Sequence, residues 1–422
     1  MSIVSLVDAA ASYRDAPTGV HELQVLMAGD RPGGGAGNAV SSDILLAALG
    51  QVATVDLLVH RMSVRPSLRV DSGVASQSVL TIGTQPAIVH GEGLAAGWVH
   101  RRRLGRWRCA WAVTSRYASA LYACRVPYII WEATTGRDEL NAISLRSVRR
   151  NGNGSGLGAA VHHVLSPLDR LLERNIYRNA TRLFAMGEYS RSLMLSHSDI
   201  PAERVELLLS PPSLAFLKAI AGRSRADYSP PRRSAPRLLF VGRVADPRKN
   251  ADLLLDAFRL IRTALPQATL TIVGRHTPRW RDTSGAGRSD SGIVLTGEVD
   301  VGALADAYLN HDVLIVSSQQ EGYGLVVAEA LHAGLPVVST RCGGPEAIIR
   351  DSGGGILVTH TPRALGDAVL ALLAEQARWE SCARGGIAFA RRELSFDRFV
   401  SRVSDITRSV ARAAPRPVPA PA

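Results

Sequence analysis

Short apolar runs rich in Val, Ile and Leu alternate along the chain with longer amphipathic or polar segments. LQVLMAG (23–29) reads as a buried strand, the glycine-rich DRPGGGAGN after it as a loop, and SSDILLAALG, ending at Gly50, as a helix. VATVDLLVH (52–60), SVLTIG (78–83), AIVHGEG (87–93) and VPYIIWEA (126–133) are further strand candidates. Apolar runs of this length, spaced by helical segments, predict parallel strands covered by helices on both faces.

Residues 206–236 interrupt the pattern: ELLLSPPSLAFL leads into AGRSRADYSPPRRSAP, whose Pro, Ser and Arg content predicts an interdomain linker. A second series follows. It comprises strand RLLFVG (237–242), helix ADLLLDAFRLIRTAL (251–265), strand ATLTIVG (268–274), strand GIVLTG (292–297) and helix VGALADAYLN (301–310). Strand DVLIVSS (312–318), a helix over 324–333 and strand PVVST (336–340) continue it. The expected organisation is an α/β chain of two doubly wound, Rossmann-like domains facing across a cleft. Its parts are an N-terminal domain over 1–205, the linker, a C-terminal domain over 237–385, a helical segment over 386–410 returning to the N-terminal domain, and a disordered tail over 411–422.

Bulk composition narrows the partners. With 46% apolar and 20% charged residues, the 422-residue chain is ordinary globular material for two domains. Its formal net charge of +12 suits an anionic partner: nucleic acid, an acidic membrane surface or a phosphorylated small molecule. No nucleic-acid-binding motif is visible, so nucleic acid is not expected. Of the 49 basic residues two are lysines, Lys218 and Lys249. Cys109, Cys124, Cys342 and Cys382 form no CxxC pair, so neither a metal site nor a disulfide framework is expected. The segment MSIVSLVDAAASYRD lacks a basic start and carries Asp8 in its apolar stretch, which predicts no signal peptide. No apolar run is long enough to span a bilayer. A cytoplasmic protein is expected. The stretch 98–108, five arginines with Trp98 and Trp107, suits peripheral contact with an anionic membrane at the inner face of the cell membrane.

Glu321 and Glu329 stand eight positions apart and bracket Gly322-Tyr323-Gly324-Leu325. Such spacing puts Glu321 in a loop after a strand and Glu329 on the following helix, whose N-terminus would offer unpaired N–H groups to an anion.

Several ordered motifs give this pair a context: FVGRVADPRKN (240–250), TIVGR (271–275), VLTGEVDVGALADAY (294–308), SSQQEGYGLVVAEALHAGLPVV (317–338) and STRCGGPEAI (339–348). With them the segment Arg237 to Val358 resembles the C-terminal domain of GT-B retaining glycosyltransferases of family 4, the glycosyl transferases group 1 type. The resemblance implies transfer of a sugar from a nucleotide-diphosphate-sugar donor to a glycan or lipid-linked acceptor, with retention of anomeric configuration. It implies that Glu321 binds sugar hydroxyls, that Glu329 binds the nucleotide ribose, and that Gly322, Tyr323, Gly324 and Leu325 line the donor. Arg243 and Lys249, after Gly242, would hold the charge that develops on the departing diphosphate. Gly274, Arg275, Gly297 and Glu298 would meet base and ribose, and the loop of Gly343, Gly344 and Glu346 would lie near the donor. In the N-terminal domain the resemblance points to Gly35 in the glycine-rich loop and to His90 as a cleft histidine. Where the family carries a second histidine this chain has Trp131-Glu132-Ala133-Thr134, which makes Glu132 and Thr134 acceptor-side candidates. No DxD motif occurs, so no metal or other cofactor is expected. Two alternatives stay open: a sugar-nucleotide epimerase of the same fold, and a catalytically silent homologue that keeps the donor site.

Overall fold

The computed structural model describes residues 23–29, 37–62, 68–72, 78–84, 94, 98, 107–135, 156–223, 234–286, 288 and 291–414. The chain forms two compact units. Unit 1 takes its described residues from the N-terminal part through Ser213 and from Phe396 onward, whereas Leu214–Ser395 belong to unit 2.

Among the described residues unit 1 is built on an eight-stranded sheet. Its strands are β1 (Gln24–Gly29), β2 (Thr54–Met62), β3 (Leu68–Ser72), β4 (Ser78–Thr84), β5 (Ala110–Ala112), β6 (Tyr128–Glu132), β7 (Arg182–Ala185) and β8 (Val205–Leu207). The order is β3-β4-β2-β1-β5-β6-β7-β8, parallel except for β3, which runs antiparallel to β4. Val25, Leu26, Met27 and Ala28 of β1 are all buried, as a central strand covered on both faces requires. Two indoles organise the core. Trp111 Nε1 donates to Thr407 Oγ1 at 3.0 Å, and Trp131 Nε1 donates to the Leu208 carbonyl at 2.7 Å. The Trp131 ring packs 4.9 Å from Phe399. Thr407 and Phe399 lie on the helix Phe396–Ala413, so the chain's last described helix completes this core. The expected return of the chain to the N-terminal part thus begins at Phe396. Helix Gln376–Glu393 stays in unit 2, where Trp379 Nε1 donates to the Asp312 carbonyl at 2.7 Å.

Among the described residues unit 2 is built on a six-stranded, all-parallel sheet. Its strands are β9 (Arg237–Val241), β10 (Thr269–Val273), β11 (Ile293–Gly297), β12 (Val313–Val316), β13 (Val337–Thr340) and β14 (Gly355–Val358). In the order β11-β10-β9-β12-β13-β14 the chain first steps outward from β9 and then returns to its other side at β12. β9 and β12 therefore flank a topological switch point, where the chain's connections leave in opposite directions and where sheets of this kind bind ligands beyond the carboxyl ends of the strands. Leu238, Phe240, Leu254, Phe258, Ile261, Leu270, Ile272 and Ile315 fill the core on one side of this sheet. Each such side chain contributes roughly 1.5–3 kcal/mol by leaving water.

Part of the expected linker is ordered secondary structure. Val205–Leu207 is strand β8, and helix Leu214–Ile220 packs Phe216 edge-on against Tyr308, centroids 5.4 Å apart. Among the described residues no helix is long and apolar enough to cross a membrane.

Candidate donor site on unit 2

The loops after β9 and β12 meet at the switch point. Gln319 N donates to the Arg248 carbonyl at 2.7 Å, and Ser317 Oγ donates to the Lys249 carbonyl at 2.8 Å. Across this junction Lys249 Nζ donates to Glu321 Oε1 at 2.6 Å, with both side chains mostly buried. Ser318 Oγ donates to the same oxygen at 2.6 Å. Glu321 Oε2 takes no hydrogen bond among the described residues, and an ammonium has three N–H donors, of which this contact uses one. The pair thus keeps acceptor and donor capacity on adjacent atoms.

Backbone bonds fix the frame around it. Glu321 N donates to the Cys342 carbonyl at 2.7 Å and Gly344 N to the Glu321 carbonyl at 2.9 Å, an isolated parallel bridge between Glu321 and Gly343. Gly344 presses on the backbone so closely that a Cβ there would lie 2.5 Å from the Gly322 carbonyl oxygen. Gly324 has φ 95°, and its Cβ would meet the Pro345 ring at 2.8 Å. Gly324 is therefore needed first for contact with the chain's own 343–345 turn, a reason the sequence did not disclose. Helix Leu325–His332 starts directly after it, so its N-terminal amides lie beside the Glu321 loop.

Glu329 sits in the second turn of that helix among buried Val327, Ala328, Ala330 and Leu331. Its Oε2 accepts a 2.6 Å hydrogen bond from the Tyr308 hydroxyl. Burial pushes the Glu329 carboxyl up to about 7, opposed by that bond. Tyr323 is also buried, whereas Leu325 is half-exposed.

Arg243 and Lys249 reach the site differently. Arg243 Nη2 is paired with Asp246 Oδ2 at 3.2 Å, and Arg248 grips the same carboxylate through Nε at 3.1 Å and Nη2 at 2.8 Å. Burial raises the Asp246 carboxyl, but hydrogen bonds and charge from Arg248, then Arg243, outweigh it and hold the group below its ordinary range. Asp246 thus anchors the half-exposed Arg243 beside the junction.

Gly242 and Gly274 stand at the ends of β9 and β10. A Cβ on Gly274 would lie 2.3 Å from the Gly242 carbonyl oxygen, and one on Gly242 would touch the Lys249 stem at 3.4 Å. Gly297 ends β11 with φ 72°, and its carbonyl accepts from Gly274 N at 2.8 Å. Arg275 Nη2 contacts both oxygens of Glu298 at 3.1 Å, an exposed ion pair of small energetic weight. All these residues cluster at the carboxyl ends of β9 to β13 or in the loops and helices that follow them. Residues that sequence reasoning missed are Ser318, Tyr308, Asp246 and Pro345. The only advance sign of Tyr308 was its place in VGALADAY, and its partner is 21 positions away.

Unit 1 candidates fall otherwise. Gly35 and His90 lie outside the described residues. Glu132 is 1% exposed and enclosed in unit 1. Its Oε2 accepts from Tyr177 at 2.5 Å and its Oε1 from Ser115 N and Oγ at 3.3 Å, while Ser115 Oγ also reaches Glu173 at 2.9 Å. Burial, and then the Glu173 charge, raise the Glu132 carboxyl. Thr134 is half-buried. In the basic stretch Trp107 is buried with Nε1 donating to Asp56 at 2.8 Å, so it is unavailable to a membrane, whereas Trp98 is exposed. Among the described residues no group of three His, Cys, Asp or Glu side chains is placed to hold a metal ion.

Residues 235–375 match the family described as "Glycosyl transferases group 1". Over 265 residues the chain is 31% identical to D-inositol 3-phosphate glycosyltransferase from Thermomonospora curvata, covering 57% of this chain and 60% of that protein. Over 247 residues it is 28% identical to the protein of the same name from Segniliparus rotundus, with 53% of that protein covered. The chain thus spans between half and two thirds of the length of these curated relatives. Sucrose-phosphate synthase from Thermosynechococcus elongatus superposes with a TM-score of 0.69 at 17% identity, covering 93% of this chain and 100% of that one. HepE from Anabaena, in complex with UDP and glucose, does so with a TM-score of 0.63 at 16% identity, covering 92% and 100%. At these identities the likeness establishes fold. Residues 235–375 form a glycosyl transferases group 1 segment within a chain of the two-domain GT-B fold.

Proposed function

We propose that the chain is a retaining glycosyltransferase whose unit 2 binds a nucleotide-diphosphate-sugar and whose acceptor is a hydroxyl of a glycan or glycolipid. The observation that carries this reading is the Lys249–Glu321 contact of 2.6 Å across the switch point. A nucleotide-diphosphate-sugar carries its β-phosphate one bond from the anomeric carbon. A cation for the first and a carboxylate for the sugar hydroxyls must therefore stand within a few ångströms of each other. Binding of UDP and glucose by the Anabaena neighbour supports a nucleotide-sugar donor, and the glycosyltransferase names of the curated relatives support transfer to a hydroxyl.

In the proposed step the bond between the anomeric carbon and the β-phosphate oxygen breaks, and the phosphate keeps the electron pair. Lys249, Arg243 and the first amides of helix Leu325–His332 stabilise that charge as it grows. The acceptor oxygen attacks the anomeric carbon from the same face, and its proton passes to the departing phosphate oxygen, which accounts for retention without a second carboxylate opposite Glu321. Glu321 Oε2 holds the sugar by charge-assisted hydrogen bonds. The scheme routes no step through a metal.

A thermal-shift screen with UDP, GDP and ADP tests the donor site. One of them raises the unfolding midpoint by several degrees, and Lys249→Ala and Glu329→Ala lose the shift. No stabilisation by any of the three overturns the reading.

A further inference from the structure

Glu329 is costly where it stands. A carboxyl among buried Val327, Ala328, Ala330 and Leu331 loses several kcal/mol of hydration relative to an apolar residue unless it is bonded. Its hydrogen bond comes from Tyr308, which is itself fully buried on helix Val301–Asn310. The Tyr308 ring is held edge-on by Phe216 of helix Leu214–Ile220, and an Arg223–Asp306 ion pair ties the end of that segment to the same helix. A phenol has one hydrogen to donate, and here it goes to Glu329 Oε2 at 2.6 Å. Glu329 Oε1 takes no hydrogen bond among the described residues. The carboxylate is therefore held on one side by a fully buried ring packed against Phe216 and left with acceptor capacity on the other.

We propose that Tyr308 is the positioning residue of Glu329: it fixes Oε2 and so aims Oε1 at the ribose hydroxyls of the bound nucleotide, which makes Tyr308 a determinant of ribose recognition. This rests on the reading of Glu329 as the ribose contact. A buried tyrosine with a purely structural role would stabilise the fold without affecting which pentose is bound. A site built to accept a hydrogen bond discriminates against the analogue that lacks the donor, because the acceptor is then left unpaired. Discrimination needs the acceptor held in place, and Tyr308 with Phe216 behind it supplies that.

The test measures dissociation constants for UDP, GDP and ADP and their 2′-deoxy counterparts by calorimetric titration of the whole chain. Wild-type protein favours the ribonucleotide about tenfold or more for the base it accepts, equivalent to roughly 1.4 kcal/mol. Glu329→Gln abolishes that ratio. Tyr308→Phe, which keeps the ring against Phe216, lowers it about threefold to tenfold with little change in the 2′-deoxy affinity, and adds nothing in the Glu329→Gln background. Should Tyr308→Phe not fold, Phe216→Leu loosens the ring with the hydroxyl in place and lowers the same ratio. If no nucleotide binds, or Glu329→Gln keeps the wild-type ratio, the ribose reading falls and this proposal with it. If Glu329→Gln loses the ratio while Tyr308→Phe keeps it, or if the two losses simply add, the positioning role alone is overturned.

Discussion

Glu321 and Glu329 are built alike: in each, the protein occupies one carboxylate oxygen and leaves acceptor capacity on the other. Lys249 and Ser318 hold Glu321 Oε1, and Tyr308 holds Glu329 Oε2. Lys249→Ala removes a cation and strands the Glu321 carboxylate, so donor turnover falls by about 10²–10³, the scale of a lost transition-state donor. Steady-state donor hydrolysis measures it, and a loss below threefold would contradict the role. Glu329 makes a separate prediction about pH. Its carboxyl is raised from an ordinary 4.5 to about 7 in the folded chain, so between those values the folded state holds a proton that the unfolded state has released. Stability from this group is fully present below pH 4.5 and is lost as pH rises towards about 7, on the order of 3 kcal/mol in total. In Glu329→Gln this component vanishes. Denaturant midpoints at pH 4.5 and 7.5 should show the variant gaining on wild type with rising pH, and a constant difference would contradict the assignment.

At the scale of elements the site depends on backbones brought too close for side chains. Gly274→Ala would place a methyl carbon 2.3 Å from the Gly242 carbonyl oxygen at φ 133° and should cost on the order of 3 kcal/mol or more. Gly297→Ala has the strained φ of 72° but open space around it and should cost about 1 kcal/mol. Urea unfolding of the two variants ranks them, and equal costs would contradict the close approach at Gly274. The same region was the most legible in sequence. The strands and helices expected between 237 and 340 fall within two residues of their observed bounds, because apolar runs ending in Gly242, Gly274 and Gly297 mark the strands, whereas β14 and the helices Leu214–Ile220, Pro278–Ser284 and Gly344–Ser352 were not anticipated. Unit 1 was less legible. β5, β7 and β8 have three or four residues, too few for any period to show, and β3 alternates polar Arg69 and Asp71 with apolar neighbours in the manner of an antiparallel edge. The pairs Tyr308–Glu329 and Lys249–Glu321 were beyond a sequence pattern, since contacts 21 and 72 positions apart exist only after the sheet order is fixed. Glu132 could be placed from sequence at the end of a strand, whereas its hydrogen bonds from Tyr177 and Ser115 are visible only in three dimensions.

For the whole molecule, unit 1 depends on residues near the far end of the chain. Phe399→Ala removes the ring that covers Trp131 and should destabilise by about 3–5 kcal/mol, whereas Thr407→Ala, which orphans the Trp111 indole N–H, should cost about 1–3 kcal/mol. Tryptophan fluorescence followed through denaturation checks both, and a Phe399→Ala midpoint equal to wild type would contradict the packing. A formal charge of +12 agrees with an anionic partner, and Arg243 and Lys249 place part of that charge at the switch point of unit 2. If that placement serves a donor's diphosphate, the second phosphate must matter. Calorimetric titration with uridine, guanosine and adenosine diphosphates and their monophosphates measures this directly. For the accepted base the account predicts one site per chain, the diphosphate binding at least about tenfold tighter than the monophosphate, and that advantage disappearing in Lys249→Ala. Equal affinity for mono- and diphosphate, or an advantage untouched by Lys249→Ala, would contradict it.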